Sequence, residues 1–137
     1  MKSLKFLSDY YNKIIDEAVV SGEKALYECV PTPMSFYSAD LLGNRTGPTT
    51  IEEEGNCGGA YITGIHGKDE FIEWAKQCRK EIICKGTYKG YDITGLTRLM
   101  KVPYHGQSHE RYKAFAEAAT KVFNSYDIKC FVRDYLT

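Results

Sequence analysis

Three stretches of this sequence gather residues that can do chemistry. The first is YHGQSHERYKAFAEAA, 104–119. It crowds Tyr104, His105, Gln107, Ser108, His109 and Arg111 ahead of an apolar stripe at helical spacing. Ser108 stands where a helix N-cap belongs, and the free N–H groups and dipole of a helix start favour an anion. Arg111 can fork two hydrogen bonds to one phosphate or carboxylate, with His105, Gln107, His109 and Lys113 as further donors. The same pattern also serves an ordinary capped surface helix. The second stretch is GTYKGYD, 86–92, where Tyr88 and Tyr91 flank Lys89 and Gly90. The tyrosines could stack on a base while Lys89 meets a phosphate; alternatively this is a hairpin turn with cross-strand aromatic pairs. The third is EGNCGGAYITGIH, 54–66, with Cys57 beside glycines and His66 downstream. These are the residue types of a thiol nucleophile and its base, but such partners meet in space rather than in sequence, and the glycines equally suit a turn before a strand.

Metal and cofactor chemistry find little here. His105 and His109 are four apart, but Gly106 and the Ser108 cap interrupt any helix that would align them. The chain has no H-E-x-x-H, C-x-x-C, Walker-A loop or G-x-G-x-x-G, so no metal and no cofactor is expected. The acidic run Glu52, Glu53, Glu54 reads as a solvated loop.

The elements that must position these residues follow from periodicity. Residues 3–21 read as an amphipathic helix capped by Ser3, with Leu4, Leu7, Tyr11, Ile14, Ile15 and Ala18 on one face. Gly22 either ends it or lets a second helical piece run toward Cys29. Pro31 and Pro33 force an extended segment, and 40–56 reads as a long surface loop. Strand formers fill 58–65, helical spacing fills 68–80, and 86–96 reads as strand material broken near Gly90. The clearest helical stripe runs from His109 to Tyr126, and 128–134 alternates like a half-buried strand. The expectation is an α+β fold, a ferredoxin-like β-α-β-β-α-β antiparallel sandwich with an added N-terminal helix. One domain spans 1–137: a helical segment to 29, an extended segment and loop over 30–57, and an α+β core over 58–137.

Composition narrows the class. Of 137 residues, 18 are Lys or Arg and 18 Asp or Glu, and this balance argues against non-specific nucleic-acid binding as the main role. Eleven tyrosines are a surplus that suits interfaces and ring-binding pockets as well as a core. Five cysteines without a C-x-x-C pair fit a reducing compartment better than a disulfide framework. MKSLKFLSDYYNK lacks the unbroken apolar core of a secretory signal, and no run reaches membrane-span length. A cytoplasmic protein without a membrane partner is expected.

VPTPM (30–34), GNCGGAYITGI (55–65), FIEWAK (71–76), YKGYDI (88–93), GQSHERYKAFAEAA (106–119) and the closing YDIKCFVRDYL occur in that order. The set resembles a family of small conserved bacteriophage and prophage proteins without an assigned function, from about Val30 onward. The family closes on an arginine near its last residues; here Tyr135 takes that neighbourhood and Arg133 comes earlier. The resemblance implies an accessory factor acting on host machinery or host defence in the host cytoplasm. One such class sequesters nucleotide second messengers in pockets between subunits. The expectation is therefore a non-enzymatic homo-oligomer that binds a nucleotide or small anion through Tyr88, Lys89, Tyr91, His105, Gln107, Ser108 and Arg111. The alternatives are a protein–protein inhibitor of a host enzyme, working through exposed tyrosines and the 40–56 loop, and an enzyme built on Cys57. A further alternative is nucleic-acid binding through the sheet face.

Overall fold

The computed structural model describes residues 3–37, 39–86 and 90–137, with only the backbone of Phe36. Tyr88 and Lys89, two of the expected ligand contacts, lie outside the described residues. Nine main elements follow in order: α1 (Leu4–Glu28), β1 (Met34–Phe36), β2 (Thr50–Glu52), β3 (Gly58–Ile65), α2 (Glu70–Cys78), β4 (Ile83–Lys85), β5 (Tyr91–Ile93), α3 (His109–Ser125) and β6 (Phe131–Leu136). The fold is α+β, with three α-helices and two antiparallel sheets among the described residues.

The larger sheet has the order β4-β5-β3-β6, and each neighbouring pair is antiparallel. β3 pairs with β6 without interruption from Gly58↔Leu136 to Thr63↔Phe131. Against β5 its register shifts between Ile62↔Ile93 and Ile65↔Tyr91. The extra residue falls at Gly64, whose φ of +88° is left-handed and whose missing Cβ makes room for the Phe131 ring. The bulge returns Ile65 to the buried side that Ile62 already occupies.

α1 runs further than its periodic stripe alone predicts. It continues through Gly22 to Glu28, and the Cys29 N–H closes it on Ala25. Gly22 is a crossing point rather than a stop, because a Cβ there would sit 2.7 Å from the Phe115 ring of α3. That close approach outweighs the roughly 1 kcal/mol helical penalty of glycine. Ile14, Ile15, Ala18 and Leu26 of α1 join Phe71 and Trp74 of α2, Phe115, Ala119 and Phe123 of α3, and Ile62, Ile65 and Ile93 of the sheet in one core. The 40–56 segment is less loose than expected. Its end supplies β2, which pairs with β1 as a small two-stranded sheet. Among the described residues of 86–96, β5 takes Tyr91–Ile93, and its hairpin partner comes from Ile83–Lys85 upstream. Gly95, at φ +72°, turns the chain into a short 3-10 helix over Leu96–Leu99 instead of extending the strand.

Candidate functional site

The 104–111 stretch is a latch. Ser108 is 1% exposed and caps α3, its Oγ accepting from Arg111 N–H at 3.4 Å. The first amide of the helix, His109 N–H, donates to Asn56 O at 2.9 Å, and Gly58 N–H donates to Gln107 O at 3.0 Å. These bonds sew the start of α3 to the start of β3. Tyr104 hydroxyl accepts from Ser108 N–H at 3.2 Å and donates to Glu54 Oε1 at 3.2 Å. Arg111 donates from Nε to Glu54 Oε2 at 3.0 Å and from Nη1 to Leu26 O at 2.7 Å. Glu110 Oε2 accepts from Thr32 N–H at 2.6 Å. The crowding of polar groups thus joins α1, the 30s segment, the 54–58 turn and α3. The His105 and Gln107 side chains remain exposed beside it.

The other candidate residues lie elsewhere. Tyr91 is half-buried at the far end of β3, opposite Ile65, with Lys76 Nζ 4.9 Å from its ring centroid. Seven strand residues separate it from the latch, roughly 20 Å at strand rise. Cys57 precedes β3 and His66 follows it, so these two stand roughly 30 Å apart. A nearer pair is His109 and Asp134, with Nε2 and Oδ2 2.7 Å apart. Cys57 does not face that pair. Thr137 N–H donates to Cys57 O, so Cys57 shares the orientation of Gly59 and Tyr61, whereas Asp134 lies opposite Ala60 on the other face. Among the described residues, no three His, Cys, Asp or Glu gather as a metal site needs, and no helix is long and apolar enough to cross a membrane.

The His109–Asp134 contact fastens β6 to α3. The hydrogen bond from His109, then the Lys113 ammonium 3.9 Å away, hold the Asp134 carboxyl below the usual carboxylate range. A depressed folded value stabilises the fold above the unfolded value near 4 and loses that contribution as pH falls through the folded one. The difference in melting temperature between wild type and Asp134→Asn should therefore be present at neutral pH and shrink in acid. A gap that does not change with pH would mean the carboxylate is not what fastens β6.

A cleft of about 420 Å3 opens between the first half of β3 and the 93–97 turn. It exists because β5 leaves β3 after Ile62↔Ile93, while Gly58 is already bonded to Gln107. Between these two attachments, among the described residues, no strand pairs with Ala60 on that side. Gly59 and Tyr61 bond toward β6, so the Ala60 N–H and C=O point into the opening. Gly58 and Gly59 keep one wall thin; Tyr112, Phe115 and Ala116 of α3 lie behind; Thr94, Leu96 and Thr97 face them. Tyr61 and Tyr135 stand at the outer rim, their ring centroids 6.4 Å apart. Tyr112 hydroxyl donates to Gly106 O at 2.7 Å, and burial, then the neighbouring Tyr135, push its ionisation upward, so the phenol stays neutral. Among the described residues, no Asp, Glu, Lys, Arg or His lines the cleft.

Of the expected contacts that are described, Tyr91, His105, Gln107, Ser108 and Arg111, none lines this cleft. Its signal in the sequence was the glycine pair entering a strand, Gly58-Gly59, which can mark close approach of a ligand. Tyr112 reads from spacing as a core residue, and the departure of β5 at Gly95 leaves no periodic trace. Comparison with protein-family models, curated proteins and solved structures finds no match to this chain.

Proposed function

We propose that the protein is a non-enzymatic binding protein that captures a planar heterocycle, the base of a nucleoside or nucleotide, in the cleft beside β3. Its core is read as a ferredoxin-like sandwich with α1 added. In support, the four-stranded sheet has the order β4-β5-β3-β6, antiparallel throughout, with α2 and α3 each following a strand. The observation that carries the binding reading is the uncharged cleft itself, with a main-chain donor and acceptor at Ala60 between glycines and tyrosine rings. A flat ring with adjacent donor and acceptor edges satisfies Ala60 and stacks on Tyr135 or Tyr61. Its size lies within the usual range for small-molecule sites, about 300–1,000 Å3.

The test is a titration of 15N-labelled protein with adenosine, guanosine, cytidine, uridine and their monophosphates. Amide shifts should concentrate at 58–62 and 94–97. Tyr135 is 52% exposed, so Tyr135→Ala should leave the fold intact, which its circular-dichroism spectrum checks. It should weaken binding about tenfold, or ~1.4 kcal/mol, at the lower end of what stacking on one aromatic contributes. Shifts confined to 104–111, or a Tyr135→Ala variant that binds as wild type does, would sink the assignment.

A second reading draws on the segment between β1 and β2. Asp40 folds its tip, with Oδ1 accepting from the N–H groups of Leu42 and Asn44 at 2.9 Å each. That turn holds Leu41 and Leu42 in full solvent exposure, as a protein-docking arm would. No response to any nucleoside would move this inhibitor reading to first place.

A further inference from the structure

We infer that β6 is a dimerisation edge, and that a second copy of the chain supplies the positive charge the cleft lacks. The second half of this inference rests on the cleft being a ligand site; the first does not.

β6 is an outer strand of the four-stranded sheet. Its odd residues bond to β3, as Thr137 N–H to Cys57 O fixes, so the N–H and C=O groups of Val132, Asp134 and Leu136 point outward. Outer strands of monomers are usually blunted by a proline, a bulge, shortness or charged side chains. β6 has six residues, no proline and an unbroken register with β3, so its only such devices are the two charges, Arg133 and Asp134, that the pairing must accommodate. Phe131, Tyr135 and Leu136 are each more than half exposed along it.

Two copies related by a two-fold axis must pair antiparallel with matching faces, so even residues meet even and odd meet odd. Two registers give similar overlap. One centres on Arg133 and sets two guanidiniums against each other in a close, non-hydrogen-bonded pair, about 4.5 Å between Cα atoms. The other centres on Asp134, where the Cα atoms stand about 5.5 Å apart. There the Lys113 ammonium, 3.9 Å away, already offsets each carboxylate, and His109 hydrogen-bonds to it. This second register also sets Arg133 of each copy opposite Tyr135 of the other, a favourable cation–π partner. Charge therefore selects the Asp134-centred register. The Arg133 guanidinium lies 5.9 Å from its own Phe131 ring centroid; turning from that ring to the other copy's Tyr135, which stands at the cleft rim, would bring it to the cleft mouth. A base in the cleft would then have a guanidinium beside it for its phosphate.

Sedimentation of the full chain tests the edge, and titration with adenosine and adenosine monophosphate tests the shared site. Wild type should sediment at twice the 15.6 kDa chain mass. Leu136→Pro removes an outward amide that β3 does not use, so it should sediment as a monomer with an unchanged circular-dichroism spectrum. A monomeric wild type, or a folded Leu136→Pro that stays dimeric, overturns the edge. Arg133→Gln should remain dimeric and keep adenosine binding while losing roughly tenfold in affinity for the monophosphate. Unchanged monophosphate affinity in that variant overturns the shared site. If neither compound binds wild type, the cleft reading fails and the shared site with it, while the sedimentation result still decides the edge.

Discussion

Replacing Trp74 by alanine is expected to lower the unfolding free energy by about 3–5 kcal/mol, the usual cost of emptying a large aromatic site. The ring is 2% exposed and lies 5.3 Å from the Tyr11 ring and 6.0 Å from the Phe71 ring, centroid to centroid. It does more than fill volume, because Nε1–H donates to Ser8 Oγ at 2.9 Å. Beside it Tyr11 hydroxyl donates to Glu70 Oε1 at 2.7 Å and Arg79 Nη1 to Asn12 Oδ1 at 2.8 Å. These contacts fasten the first half of α1 to α2. At nine residues α2 is too short to be stable alone and depends on this packing. Against a typical total of about 5–15 kcal/mol, the loss would bring the domain close to unfolding. Trp74→Phe keeps much of the apolar area but leaves Ser8 without its donor, so it should cost less. Trp74 is the sole tryptophan, so urea unfolding is best followed by circular dichroism. A loss below about 1 kcal/mol for the alanine variant would contradict so central a place in the core.

How much of this was legible in the sequence depends on the range of the interaction involved. Helices announced themselves because their signals are local. Ser3, Asp69 and Ser108 each stand at an N-cap and accept from an amide two or three residues on. β3 was legible from its strand formers, and it occupies 58–65 as expected. What escaped was non-local. Gly22 looks like a helix end because the ring that requires it, Phe115, is 93 positions later. The pairing of β1 with β2 depends on Met34 finding Glu52 across a long connection. The cleft depends on where one strand stops following another, which neither propensity nor periodicity records. The polar stretch at 104–111 was legible as a special place, but its partners, Leu26, Thr32 and Glu54, come from distant segments. Residue types alone could not distinguish a grip on a ligand from a grip on the protein's own chain.

Arg111 separates those two meanings, and Arg111→Ala is expected to cost about 2 kcal/mol of folding stability while leaving binding in the cleft intact. Leu26 lies in the last turn of α1, where a carbonyl has no amide four residues on to accept from. Arg111 Nη1 fills that role at 2.7 Å. Its Nε meets Glu54 at 3.0 Å, and the guanidinium carbon lies 5.9 Å from the Tyr104 ring centroid. The Arg111 side chain is 18% exposed and that of Glu54 41%. Glu54 can therefore recover water when the arginine is removed, and its share of the loss is small. The Leu26 carbonyl carries the larger share, since charge-assisted bonds of this kind are each worth about 1.5–3 kcal/mol. Arg111→Lys should recover only part of the loss, because a single ammonium on a flexible stem cannot serve both partners with the fork geometry of a guanidinium. Thermal melts and the nucleotide titration, run on the same variants, separate the two roles. Reduced stability with unchanged ligand affinity makes Arg111 the clasp that joins the end of α1 to the start of α3. Stability held within about 0.5 kcal/mol together with lost monophosphate binding would return the residue to the ligand and the 104–111 stretch to an anion grip.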